Sequence, residues 1–217
     1  MSIDSQLQQA VLDELSWEPS VNSAHIGVSV HDGVVTLNGH VQSYSEKSAA
    51  ERATVRVKGV KAVAEEIEVK LPFDIVRSDE DIAAAAIERL GWDSSIPRDA
   101  VEVSVEEGWV TLSGEVDWNF QREIAARDIG ALHGVIGVSN QLAIKPVITA
   151  SNVQDKIERA LQRTWYYDPN SIKVSAQDGK IKLTGKVSTW NARDLAGTTA
   201  WAAPGVTSVE NDIRVES

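Results

Sequence analysis

A nine-residue pattern recurs three times and constrains the fold of this chain more than any other feature. It stands as Gly33-Val-Val-Thr-Leu-Asn-Gly39-His-Val41, returns as Gly108-Trp-Val-Thr-Leu-Ser-Gly114-Glu-Val116, and returns again as Gly179-Lys-Ile-Lys-Leu-Thr-Gly185-Lys-Val187. The same offsets of 75 and 71 residues carry Gly59-Val60 onto Gly134-Val135 and Gly205-Val206, and Leu15 onto Leu90 and Leu161. Whole units therefore align without internal gaps, and the length difference falls in the connections near Leu71-Pro72 and Lys145-Pro146. Repeats of this kind are one supersecondary unit written several times.

Each unit predicts helix, strand, strand, helix, strand. First helices follow from 3.6-type spacing of Leu7, Val11, Leu12 and Leu15, of Ile82, Ala86, Ile87 and Leu90, and of Val153, Ile157 and Leu161. Ser78 or Asp79, and Ser151 or Asn152, offer side-chain oxygens for N-caps. Alternating Ile26, Val28 and Val30, Val101, Val103 and Val105, and Ile172, Val174 and Ala176 predict first strands. Asp32-Gly33, Glu107-Gly108 and Asp178-Gly179 supply hairpin turns. Ala-rich second helices are expected over about 45–58, 119–132 and 191–203, each ended by a Gly in the left-handed region, and last strands over 67–69, 142–144 and 213–215. Gly39, Gly114 and Gly185, inside strands, predict a bulge or a close approach of helix to sheet. Because only alternate strand residues are apolar, each sheet buries one face. The fold class is α+β: three tandem αββαβ two-layer sandwiches, over residues 1–71, 77–146 and 149–217.

These residues resemble the BON family, named for bacterial osmotically inducible and nodulation proteins. The family pattern continues into Val-x-Asn-x-Ile, met here as Val-Ser-Asn140-Gln-Leu and Val-Glu-Asn211-Asp-Ile, whereas the first unit departs with Val63-Ala-Glu65-Glu-Ile67. The resemblance implies the small αββαβ fold, binding without enzyme chemistry, phospholipid or membrane-surface association, and envelope or osmotic-stress roles. Potassium binding by a relative with an added peptidoglycan-binding module carries over weakly, since no such module follows here.

Composition excludes several functions. The 217 residues include no cysteine, so thiol nucleophiles, disulfides and thiolate metal sites are absent. A net charge of −11 argues against broad nucleic-acid binding. His25, His31, His40 and His133 lack metal-ligand spacing, no phosphate loop or catalytic triad is spelled, and no cofactor is expected. No run reaches the roughly 20 apolar residues of a membrane span. The N-terminus lacks a secretory pattern, which predicts a cytoplasmic address, or a periplasmic one if a cleaved signal is missing from this sequence.

Charge is unevenly shared: −5 over 1–76, −7 over 77–148 and +1 over 149–217. Outward strand positions carry Glu102, Glu106, Trp109 and Glu115 in the second unit, and Lys173, Lys180, Lys182 and Lys186 in the third. Besides a solvated face, these residues are candidates for binding anionic phospholipid, or for contacts between units or between copies of the chain. Trp17 and Trp92 occupy equivalent places just past the first helix, with Trp165-Tyr166-Tyr167 close to that place. They read as a lid over the helix core, with an interfacial anchor as the alternative. The function expected is a non-enzymatic binding protein of membrane surface or envelope in osmotic stress. The alternatives are a potassium- or calcium-binding protein and a protein–protein adaptor.

Overall fold

The structure is a computed structural model that describes residues 3–145, 153–163 and 171–216. The first repeat runs α1 (Ile3–Trp17), β1 (Ile26–His31), β2 (Val34–Val41), α2 (Tyr44–Arg56) and β3 (Ala62–Val69). The second follows as α3 (Asp79–Trp92), β4 (Val101–Glu106), β5 (Trp109–Val116), α4 (Asn119–Gly130), β6 (Gly137–Asn140) and β7 (Ala143–Ile144). The third comprises α5 (Val153–Gln162), β8 (Ile172–Gln177), β9 (Lys180–Val187), α6 (Trp190–Trp201) and β10 (Ser208–Val215). The αββαβ order therefore holds in all three. Within each sheet the second strand is central, antiparallel to the first and parallel to the last.

The last strands are longer than the short alternations predicted, beginning at Ala62, Gly137 and Ser208. The parallel ladder starts almost at once after each Gly-Val step, where the backbone is paired before the side chains begin to alternate. In the second repeat that ladder breaks between Asn140 and Ala143, giving two short strands on β5.

One face of each sheet meets the helices. Leu7, Val11 and Leu15 of α1 pack with Val35, Leu37, Val41, Ala50, Ala53 and Ile67. The third repeat buries Val153, Ile157 and Leu161 with Ile181, Leu183, Ala196 and Ile213. Ile82, Ala86, Leu90, Val110, Leu112 and Ile129 are buried likewise in the second, whereas Ile87, counted on the same stripe, is exposed. Alanines on the second helices let them sit close to the sheet.

Both central residues of each hairpin turn take positive φ, 50° at Asp32 and 83° at Gly33, with equivalents at Glu107-Gly108 and Asp178-Gly179. That is the type I′ geometry that matches strand twist. A carboxylate from the first helix then closes on the turn. Asp4 accepts from the Asp32 and Gly33 N–H groups at 3.1 and 3.3 Å, and Asp79 from Glu107 and Gly108 at 2.8 Å each. Gly39, Gly114 and Gly185 also hold positive φ, and a Cβ there would overlap the carbonyl oxygen of His25, Ala100 or Ser171. The glycine makes room for the chain entering the first strand, so of the bulge and the helix–sheet approach expected, the helix–sheet approach does not hold. Of the N-cap candidates, Ser78 accepts from Asp81 N–H at 3.2 Å, while Ser151 and Asn152 lie outside the described residues.

By packing, the chain divides into two compact units, Met1–Gly114 with Glu123–Gln141, and Glu115–Arg122 with Leu142–Ser217. Inside the first, Tyr44 at the start of α2 lies against Gly130 at the end of α4; a Cβ on Gly130 would stand 3.0 Å from the ring. Inside the second, the Arg122 guanidinium of α4 lies 5.9 Å from the Trp201 ring of α6. Gly130 and Trp201 are equivalent positions, so successive repeats use the same place on the second helix in different ways.

Replacing Asp79 by Ala should lower unfolding free energy in urea by about 1–3 kcal/mol, because two turn N–H groups lose a charged acceptor. Burial, aided by the charge of Glu51, raises the Tyr44 phenol above 10.0, against the opposing Val138 backbone hydrogen bond. The neutral phenol is thus the form the fold holds, so this contribution is full below about pH 10 and is lost as pH rises through the higher folded value. Tyrosinate absorbance should show one late-ionising group that is missing from Tyr44→Phe.

Candidate functional site

The outward sheet faces carry the charges the alternation predicted, but not bare. In the third repeat Lys173 on β8 and Lys180, Lys182 and Lys186 on β9 are exposed. Because β10 runs parallel beside β9, Glu210 stands opposite Lys182. The Lys182 ammonium lies 2.7 Å from Asp212 and 2.9 Å from Glu210, and Lys186 lies 2.7 Å from Glu216. Hydrogen bonds to Asp212 and Glu210 raise the Lys182 pKa, and the same ammonium lowers that of Asp212. Among the described residues Lys173 and Lys180 have no such partner. The compensating acids sit 28 and 30 residues downstream of their lysines, so strand-by-strand alternation did not bring them into view.

The second repeat presents Glu102, Glu106 and Glu115 exposed, in no ion pair among the described residues. Trp109, 49% exposed, lies over Gly137, its partner across the parallel β5–β6 pair; a Cβ on Gly137 would collide with the ring. Half of this indole therefore belongs to the sheet and half faces outward. In the first repeat, His25 and His40 stack with ring centroids 4.7 Å apart. No group of three His, Cys, Asp or Glu side chains among the described residues could hold a metal ion.

Aromatic exposure departs most from expectation. Trp17 is 84% and Trp92 80% exposed, so neither is a lid on the core. Leu15 and Leu90 end the buried stripes of α1 and α3, and two residues further round a helix, about 200°, points away from them. Trp118 and Phe120, flanking the start of α4, are also exposed. Trp165, Tyr166 and Tyr167 lie outside the described residues. Trp190 and Trp201 are half-buried, with the Arg193 guanidinium 5.1 Å from the Trp190 ring. Solvent-facing tryptophans on so small a scaffold are apolar area offered for contact.

The BON domain model matches residues 3–70, 78–146 and 149–217. The chain belongs to the BON family. Osmotically-inducible protein Y of Escherichia coli K12 is 30% identical over 146 residues, which is 65% of this chain and 73% of that protein. Among solved structures, the C-terminal domain of CdsD, a structural protein of the Type III secretion system of Chlamydia trachomatis, matches at 17% identity and TM-score 0.27, covering 100% of both chains. The PrgH periplasmic domain matches at 10% identity and TM-score 0.22, covering 95% of this chain and 100% of that one. The three BON matches coincide with the three αββαβ repeats. The outer surfaces of the repeats thus carry exposed indole at the ends of α1 and α3 and charged side chains on the sheets. No described helix is long and apolar enough to cross a membrane.

Proposed function

We propose that this BON-repeat protein is a non-enzymatic, peripheral binder of phospholipid membrane surfaces acting in the response to osmotic stress. The observation that carries this reading is the pair Trp17 and Trp92, repeated at one place in two units and more than three-quarters exposed in each. Indole is apolar over most of its area yet keeps one N–H donor, so it settles where hydrocarbon meets headgroups. Lys173 and Lys180, exposed and in no ion pair among the described residues, add attraction of up to about 1 kcal/mol each for anionic lipid. Lys182 and Lys186 contribute less, since Glu210, Asp212 and Glu216 already hold them. The acidic face around Trp109 repels anionic headgroups and is better suited to a basic protein partner. Osmotic load acts at the cell envelope, and we place the protein there, at a membrane surface; the likeness to an osmotically inducible protein supports this.

Trp17→Ser with Trp92→Ser should reduce co-sedimentation with phosphatidylglycerol-containing liposomes roughly tenfold or more, from loss of two buried indoles. Urea stability should stay within about 0.5 kcal/mol, as both side chains leave the core untouched. Undiminished sedimentation of the double variant would sink the reading.

A further inference from the structure

The two helices of the third repeat are not bridged as their counterparts are. In the first repeat Arg56 of α2 holds Glu14 and Glu18 beside α1 at 2.9 Å each. In the second, Arg89 of α3 reaches Asp128 of α4 at 3.1 Å. Carried along by the repeat offsets, Glu14 and Arg89 become Ala160, Asp128 becomes Thr199, and Arg56 becomes Ala202. Neither bridge can form. Those same three positions line a groove of about 760 Å³ between α5 and α6.

Its charge is also new. Lys156, Arg159 and Arg163 line the groove, the first two at i and i+3 on one stripe of α5 and the third just past its end. The equivalent positions are Ala10, Asp13 and Trp17 in the first repeat, and Ala85, Glu88 and Trp92 in the second. Three cations thus replace two small residues, two acids and the two exposed indoles. None of the three forms an ion pair among the described residues, and Asp155 and Glu158 of the same helix are not among the lining. Ile157, Ala160 and Ala203 supply an apolar wall, and Thr198 adds a hydroxyl.

We infer that this groove binds a phosphate ester on an apolar stem. Two guanidiniums and an ammonium converge on a volume within the roughly 300–1,000 Å³ of small-molecule sites. The guanidinium fork matches phosphate oxygens, and the alanine-lined wall leaves room for glyceryl or short acyl carbons. Such a group reaches the groove as a phospholipid headgroup or as a free organic phosphate. Only the lipid source rests on the membrane reading above; the site itself does not.

The test is calorimetric titration of the full chain with dihexanoylphosphatidylglycerol below its micelle concentration, and separately with glycerol phosphate. Binding of the short-chain lipid is expected. Arg159→Glu with Arg163→Glu should weaken it roughly tenfold or more, since two charge-assisted contacts become repulsive. Ala160→Glu with Ala202→Arg rebuilds the first repeat's bridge inside the groove, and should weaken binding as much while keeping urea stability. Lys58→Glu, exposed on the first repeat, should leave it unchanged. Equal affinity for glycerol phosphate assigns the site to free phosphates, and a strong preference for the lipid assigns it to headgroups. Binding of neither probe, or equal binding by the parent and both double variants, overturns the inference. If the bridged variant still sediments with liposomes while the parent binds no short-chain lipid, the groove falls and membrane docking stands. If Trp17→Ser with Trp92→Ser leaves sedimentation undiminished while short-chain lipid still binds, docking falls and the groove stands.

Discussion

A carboxylate closed on a hairpin turn sets the layer geometry of the first two repeats. The type I′ turn directs two adjacent N–H groups at Asp4 or Asp79, which pins the start of the first helix to the tip of the hairpin. A second clamp works elsewhere in the first repeat. Glu46 accepts from Asn22 at 2.8 Å and Gln42 at 2.9 Å, joining the loop before β1 to the start of α2. In the second repeat Gln121 takes that place, accepting from Asp117 and Trp118 at 3.0 Å each. With the helices so positioned, Leu7, Val11 and Leu15 can lie only over the inward strand residues. The third repeat carries Ala150 and Ala192 at the two clamp positions, so its layers are held by Val153, Ile157 and Leu161 and their neighbours. Small cores of this kind have little stability to spare.

Features that depend on local periodicity were legible in the chain. Hairpin turns, buried stripes and the order of elements all follow from spacing within a dozen residues. Features that depend on which strand lies beside which were not. Lys182 and Asp212 meet only because a helix returns the chain parallel to β9, and no alternation along one strand reports that. Trp17 and Trp92 illustrate a different failure. Residue type suggested burial, but the angle from Leu15 and Leu90 already pointed outward, and helical phase outweighs average burial of tryptophan. Tyr44 against Gly130 had one available signal, a glycine late in an otherwise regular helix with no turn to explain it.

Divergence among the repeats is concentrated where the core does not reach. Position 15 and its equivalents are leucine throughout, whereas position 14 is Glu, Arg and Ala, and position 17 is Trp, Trp and Arg. The scaffold tolerates these changes, because none falls on the buried stripe of the helix that meets the sheet. One repeat can therefore lose its bridge and gain three cations without altering the strands beneath. Tandem copies allow apolar and cationic contacts to be carried by separate units.

That separation bears on how an acidic chain can approach an anionic surface. With −11 overall, the long-range field is repulsive toward anionic lipid. At physiological salt it decays over about 8 Å, so repulsion is confined to near contact. Attraction then has to come from short-range terms, the burial of indole and cations that meet phosphate directly. Lysines already paired on β9 do little in that range, since any gain with lipid is offset by the lost carboxylate. Cations lining the α5–α6 groove carry no such penalty, since none of them forms an ion pair among the described residues. Affinity in a protein with this charge distribution should therefore depend less on net charge than on which few cations are left without an acid of their own.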